Sequence, residues 1–307
     1  MEFANFRDTP PAVRLAGRYV NSKGEPFMSK YDPMLENAPR GKIVEALYLE
    51  MQAGNEPITI EMTPESERTV SFLTQEYKDY FKAAREGKPP RVTISFQRLL
   101  GGVRFKPDAS TELLGLYTAG ESAGGFHGGD RLQSGAFLET QVFGRLAGQN
   151  AAAFAGTGAR GVARAERLSL PLRLLVRDRL PHPDGTPARK VIETVQKIAW
   201  DHASILKDNP GLELALAKLA DVRAQSHRRL SAAYLFEPFE AENLALVAEA
   251  IVRAAGQREE TRATHRRRDF PNENPALARV HTRVRLLDGR LAADRVQARE
   301  APRHAMT

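Results

Sequence analysis

Six of the sixteen residues from Gly120 to Gly135 are glycine. They separate an apolar stretch, LLGLYTAGE, from AFLETQVFGRLAGQNAAAFA, which reads as a helix with Phe137, Val142, Leu146 and Phe154 among its apolar positions. Glycine loses more backbone freedom on ordering than any other residue, so neither strand nor helix runs through such a segment. The pattern predicts strand, loop and helix start in that order. That setting suits an anionic or polar cofactor held on backbone N–H groups. A second glycine run is a decoy. Gly156, Gly158 and Gly161 spell G-x-G-x-x-G, but they follow an alanine-rich helix rather than a strand, and Pro171 curtails what comes after. They read as a flexible linker at a domain boundary.

The rest of the chain is organised around this centre. Residues 1–40 carry turn signals such as Asn21-Ser22-Lys23-Gly24 and Tyr31-Asp32-Pro33 and read as irregular. From Arg40, the residues Ile43, Val44, Leu47 and Met51 predict an amphipathic helix ended by Gly54 and Pro57. ITIEM is a strand candidate. Thr63-Pro64-Glu65-Ser66-Glu67 marks a helix start, with the helix stopped by Gly87. RVTISF alternates like a strand, and GGVRFKPDAS reads as a strand with turns.

Beyond the linker three helices are predicted. The first carries Val191, Val195, Ile198, Trp200, Ile205 and Leu206, and the second Leu212, Leu214, Leu216 and Leu219. The third carries Leu244, Val247 and Ile251. Short connections make them a small antiparallel bundle. VHTRVRLL is a strand, with a turn at Asp288-Gly289.

Composition removes several classes. The 307 residues contain no cysteine, which excludes Cys-ligated zinc, an iron–sulfur cluster held by this chain and a thiol nucleophile. No metal site is expected. The length predicts two domains or three small ones. No apolar run approaches 18 residues, so no transmembrane helix is expected, and MEFANFRDTPP lacks the pattern of a signal peptide. The formal charge is +7, densest at Arg262, Arg266, Arg267, Arg268, Arg279, Arg283 and Arg285. Such a run serves nucleic-acid binding, a field that draws in anions, or simply a solvated surface. Aromatic residues are 7% of the chain, with no basic–aromatic stacking motif, and this lowers the nucleic-acid reading.

The segment GLYTAGESAGGFHGGDRLQSGAFLETQVFGRLAGQNAA closely resembles the second FAD-contacting segment of the succinate dehydrogenase/fumarate reductase flavoproteins, a superfamily that includes L-aspartate oxidase. The family pattern there runs AGE, HGANRLGGNSLLE and then a VFGRxAG helix. REETRATHRRRDFP, followed by His281-Thr282, resembles the family's RxESRGAHxRxDYP and its following HT. GEPFMSKYDP followed by PRGKIVEALYLEM is similar to GERFMxxYxP followed by PRDVVSRAIYxEI. The three matches occur in the family's order.

The resemblance implies an α/β (α+β) partial flavoprotein. Its expected parts are a capping domain over 1–96, the last strands and helix of the FAD-binding domain over 97–156, a three-helix bundle over 157–258 and a short β-containing tail over 259–307. It implies FAD, a small carboxylate substrate and hydride transfer between flavin N5 and a substrate carbon. By position, Glu121, Gly135, Ala136 and Phe137 fall on the cofactor-binding residues. Arg131, His127 and Gln97 fall on the substrate-binding residues, and Arg40 falls on the arginine that exchanges a proton with substrate carbon. A guanidinium fork suits a carboxylate. A separate electron-transfer subunit is a candidate partner, and the expected location is cytoplasmic or peripheral to a membrane through a partner.

The departures bear on substrate. Gln97 and Arg7 stand where the family has histidines, and Asp130 stands for the asparagine of HGANR. Gly135-Ala136-Phe137-Leu138 replaces NSLL. An aspartate beside a carboxylate-binding arginine repels a dianion or redirects the arginine, so a less charged substrate is an open alternative to succinate or fumarate. No strand-GxGxxG-helix for the ADP part of FAD is found before this segment. The chain is therefore expected to be incomplete and to bind FAD weakly or not at all on its own. A non-catalytic interaction or scaffold remnant of such a flavoprotein is the second reading.

Overall fold

The computed structural model describes residues 17–62, 79, 82–89, 91–132, 135–157, 176–177, 181–226 and 230–298, with the backbone alone at 2–4. Arg7, Thr63–Glu67, most of the helix expected up to Gly87, and Gly158, Gly161 and Pro171 lie outside these residues. The chain divides into two compact units. The first is Met1–Gly101, His127–Arg131 and Arg262–Arg266; the second is Gly102–Phe126, Leu132–Thr261 and Arg267–Thr307. Among the described residues no helix is long and apolar enough to cross a membrane.

In the first unit, β1 (Glu2–Ala4) is an edge partner for a strand met later in the chain. β2 (Gly17–Val20) pairs antiparallel with β3 (Ile58–Met62), Tyr19 opposite Ile60, and β3 pairs with β4 (Arg91–Val92). Alternation puts Ile58 and Ile60 in the interior with Tyr19 and Val92. Between β2 and β3 runs α1 (Arg40–Gln52), entered at Pro39, with Ile43, Val44 and Leu47 buried as their helical spacing predicts. The RVTISF segment is not one strand. β4 ends at Val92, and β5 (Ser95–Arg98) joins β1 in a separate antiparallel sheet. Val92 and Ile94 are both buried, so the chain changes sheets while keeping its apolar residues inside.

One buried carboxylate knits this unit together. Glu50, in the last turn of α1, accepts hydrogen bonds from Asn21 Nδ2 (3.0 Å), Asn55 Nδ2 (2.7 Å) and the Tyr31 hydroxyl (2.9 Å). Burial opposes its charge, but these bonds and nearby Lys30 outweigh burial and hold the carboxyl below its ordinary range. Burial and the Glu50 contact push the Tyr31 hydroxyl up to about 12.

In the second unit, α2 (Gly135–Gly156) follows the glycine-rich loop. The strand expected in LLGLYTAGE does not form. Leu113, Leu114 and Leu116 are exposed, and the stretch is an irregular loop closed by Thr111 N–H donating to Leu116 O and Thr118 N–H donating to Ala109 O. GGVRFKPDAS is likewise irregular apart from two isolated bridges, a parallel one between Val103 and Ala123 and an antiparallel one between Ser110 and Tyr117. A strand needs a neighbour to take its N–H and C=O groups; this stretch folds back on itself instead. α2 packs Phe143 edge-on against Phe105 and Phe126, both at 5.2 Å between ring centroids.

The bundle forms as expected, from α3 (Ala188–Ala203), α4 (Asn209–Ser226) and α5 (Glu237–Gln257), around one apolar core. Which residues fill it differs from the sequence reading. Leu214, Val247 and Trp200 are exposed. The buried stripe of α4 is Leu212, Ala215, Leu219 and Val222, and that of α5 is Ala241, Ala245, Ala248, Val252 and Ala255. Both follow a three-then-four spacing, and the alanines let the helix backbones approach closely. After the bundle, β6 (Val280–Leu287) and β7 (Arg290–Gln297) form a hairpin. Asp288 and Gly289 both take positive φ, the two-residue turn expected there.

Candidate functional site

The residues assigned to the substrate and to proton exchange lie in the first unit. Arg40 is the first residue of α1. Its Nη1 lies 3.6 Å from Asp130 Oδ1, with both side chains only partly exposed. The same Oδ1 accepts the backbone N–H of Arg131 at 2.9 Å. The cation that meets Asp130 is therefore Arg40, and α1 and the 127–131 loop meet at that pair. His127 opens the loop and is half-buried, as is Arg131, while Gln97 is exposed on β5.

A third segment holds the other two in register. Residues 262–266 form a tight turn in which Arg262 N–H donates to His265 O, His265 N–H donates to Arg262 O, and Ala263 takes φ 52°. A Cβ on Gly41 would stand 2.3 Å from Ala263 O, so only glycine fits beside Arg40. Glu45, one turn further along α1, takes both Nε and Nη2 of Arg266. Thr264 Oγ1 donates to Gly129 O at 2.8 Å, next to Asp130. The turn thus pins the start of α1 and the 127–131 loop together, from more than a hundred residues away in sequence. Gly41, Thr264 and the Glu45–Arg266 pair were not singled out from sequence. The family-like string ETRATHRRRDF carried the signal, but nothing in it names the partners.

The arginine run near the C-terminus is only in part a solvated surface: Arg268, Arg279 and Arg285 are exposed. Arg266 and Arg267 are buried. Arg283 and Arg285 share Asp294, which they hold below the ordinary carboxylate range. Arg267, in the second unit, has no exposed side-chain surface and gives away all five of its N–H donors. They go to both oxygens of Asp269, to Asn209 Oδ1 and to the carbonyls of Ala255 and Arg258. The guanidinium also stacks over Phe270. The hydrogen bonds from Arg267 hold the Asp269 carboxyl at about 2.

The residues assigned to the cofactor lie in the second unit. Glu121 is the exposed middle residue of a 3₁₀ turn, Gly120–Ser122. Gly102 and Gly124 pack backbone to backbone beneath this turn: a Cβ on Gly102 would stand 2.4 Å from Ser122 O, and one on Gly124 2.4 Å from Gly102 N. Gly120, at φ 69°, approaches Thr140 of α2. Gly135 and Ala136 are half-buried at the first turn of α2, and Phe137 is exposed. The turn and the helix start together offer nearly bare backbone, an outward carboxylate and the N–H groups of a helix N-terminus. That donor set fits a flat, polar ring system that needs close backbone approach.

Comparison with known proteins finds two matching sequence profiles. The sequence profile described as "FAD binding domain" matches residues 12–137, and that described as "Fumarate reductase flavoprotein C-term" matches residues 192–301. The chain is 31% identical over 280 residues to a fumarate reductase (CoM/CoB) subunit of Methanothermobacter marburgensis, a match covering 86% of this chain and 50% of the relative. It is 31% identical over 296 residues to L-aspartate oxidase of Caulobacter vibrioides, covering 92% and 51%. The chain thus spans about half the length of the curated relatives it matches. In fold it is similar to E. coli quinol fumarate reductase, with a TM-score of 0.80 over 98% of this chain and 59% of that chain at 22% identity. With both profiles matched in order and relatives of one kind across most of its length, the chain belongs to the succinate dehydrogenase/fumarate reductase flavoprotein family.

Proposed function

We propose that this chain carries the substrate-facing part of an FAD-dependent oxidoreductase that acts on a carbon–carbon or carbon–nitrogen bond next to a carboxylate. The observation that carries the reading is the meeting of Arg40 with the Asp130–Arg131 loop, at the positions that the family motifs give to proton exchange and carboxylate binding. In this reading residues 1–96 are the capping part and 97–156 the flavin-facing part, followed by the bundle over 157–258 and the tail over 259–307.

Glu121, Gly135, Ala136 and Phe137 would hold the flavin. When bound, the flavin supplies a two-electron acceptor or donor at N5. The chain's own residues do the rest. Arg131 binds the substrate carboxylate with a guanidinium fork, and His127 and Gln97 orient the substrate. Arg40 is the catalytic residue that holds or moves a proton at the carbon next to the reacting one. A guanidinium keeps its proton strongly in water, so the transfer needs a partner, and Asp130 is the carboxylate in contact with it. With no cysteine in these 307 residues, an iron–sulfur relay would belong to a separate electron-transfer subunit.

The test is anaerobic. The purified chain with FAD in excess is mixed with candidate carboxylates. Loss of visible flavin absorbance is expected with the parent chain and not with Arg131→Ala or Arg40→Ala. No bleaching by any carboxylate favours the scaffold reading, and retained bleaching in either variant removes that arginine from the site.

A further inference from the structure

We propose that Thr264 is a positioning residue: its hydroxyl holds the 127–131 loop ready for the substrate carboxylate without touching the substrate. The inference rests on the reading of this loop as substrate-binding and deepens it.

The loop needs an external hold. It contains Gly128, at φ 62°, and Gly129, and glycines lose much freedom when they are ordered. Gly129 O is held by Thr264, which donates its hydroxyl at 2.8 Å and its backbone N–H at 3.4 Å. Ala263 adds a steric stop, its Cβ lying 3.2 Å from where a Cβ on Gly129 would stand. Thr264 can serve as a hold because its own turn is fixed. Arg262 and His265 exchange backbone hydrogen bonds of 2.8 and 2.9 Å, Ala263 O abuts Gly41, and Arg266 is bound to Glu45. The grip falls on the peptide group just before Asp130, whose carboxylate meets Arg40 Nη1 and the backbone N–H of Arg131.

The family pattern has glycine and alanine where this chain has Ala263 and Thr264. An alanine in place of Thr264 has no side-chain donor, and a glycine in place of Ala263 has no Cβ to stop the loop. Both departures therefore act on Gly129. Because Gly129 is exposed, water replaces the hydroxyl when it is removed, and overall stability changes little. What is lost is preorganisation: a looser loop gives up more freedom each time a ligand binds, so affinity falls.

Succinate, fumarate and L-aspartate are each titrated calorimetrically into the full chain with FAD in excess, and the one bound most tightly is the probe. Thr264→Val keeps the shape and removes the donor. It is expected to weaken the probe about fivefold, the equivalent of one hydrogen bond, with a melting temperature close to the parent's. Thr264→Ser is expected to restore the affinity. Amide hydrogen exchange over 127–131 should quicken in Thr264→Val but not in Thr264→Ser, and exchange in the bundle helices should stay as in the parent. Parent affinity in Thr264→Val, or a loss that Thr264→Ser does not restore, overturns the proposal. So does weakened binding without faster exchange in the loop, which makes the hydroxyl a direct ligand contact, and so does faster exchange throughout the chain. The underlying site is judged separately. If no probe binds the parent, or Arg131→Ala binds it as the parent does, the carboxylate site is rejected and the proposal falls with it.

Discussion

Two arginine–aspartate pairs in this chain show how the same chemistry is put to opposite ends. Arg267 and Asp269 meet through two short hydrogen bonds, and Arg267 has no exposed surface and no donor left over. Arg40 and Asp130 meet at 3.6 Å, both partly exposed. The first pair joins the start of α4, the end of α5 and the tail through Asn209, Ala255 and Arg258. The second joins a helix start to a loop. Removing a fully buried, hydrogen-bonded guanidinium is strongly destabilising, because it empties its place in the interior and strips its acceptors of their bonds. A looser, more exposed pair contributes little to stability.

The contrast can be broken from either side. Arg267→Ala should cost about 3–5 kcal/mol in urea unfolding, since five acceptors lose their donor; a loss under about 1 kcal/mol would put this pair in the same class as Arg40–Asp130. Acid should expose the same difference. Asp269 titrates at about 2 in the fold against an ordinary value of 3.8. Its contribution, which solvent screening of the exposed Asp269 reduces to under about 2 kcal/mol, is fully present above the ordinary value and is lost as pH falls through about 2. Asp269→Asn should flatten that part of the stability–pH curve.

A third change probes the turn that braces the looser pair. Ala263 holds φ 52° where the family pattern has glycine. Ala263→Gly should relieve about 1 kcal/mol of strain, read as a raised urea midpoint. The smallest stability change is expected at the site itself. Arg40→Ala should stay within about 1 kcal/mol of the parent, while flavin bleaching by carboxylates disappears and flavin content is unchanged.

Legibility in the sequence followed the range of the interactions. Helices α1, α3, α4 and α5 and the β6–β7 hairpin were readable from apolar spacing and from Asp288-Gly289, because periodicity and turn chemistry act over a few residues. Misreadings came where a choice depended on a distant neighbour. LLGLYTAGE has strand composition but no partner strand, and it folds into a self-bonded loop. In α5 the large Val247 faces outward while Ala241, Ala245 and Ala248 face the core. Composition favours the larger residue; close helix packing selects the smaller one. Of the site, Arg40, Asp130 and Arg131 were visible through family-like motifs, whereas Gly41 and Thr264 were not. Their role depends on the turn at 262–266.

By itself the sequence determined the family, the helical bundle, the hairpin and the absence of any thiol chemistry, all of which follow from local pattern and residue type. Only the tertiary structure decided which arginine meets which carboxylate. The run from Arg266 to Arg268 is uniform as a string, yet Arg266 pairs with Glu45 and Arg267 with Asp269, while Arg268 lies 3.8 Å from Asp208 and is largely exposed. Charge is written residue by residue, but its effect depends on burial and on partners brought from far along the chain.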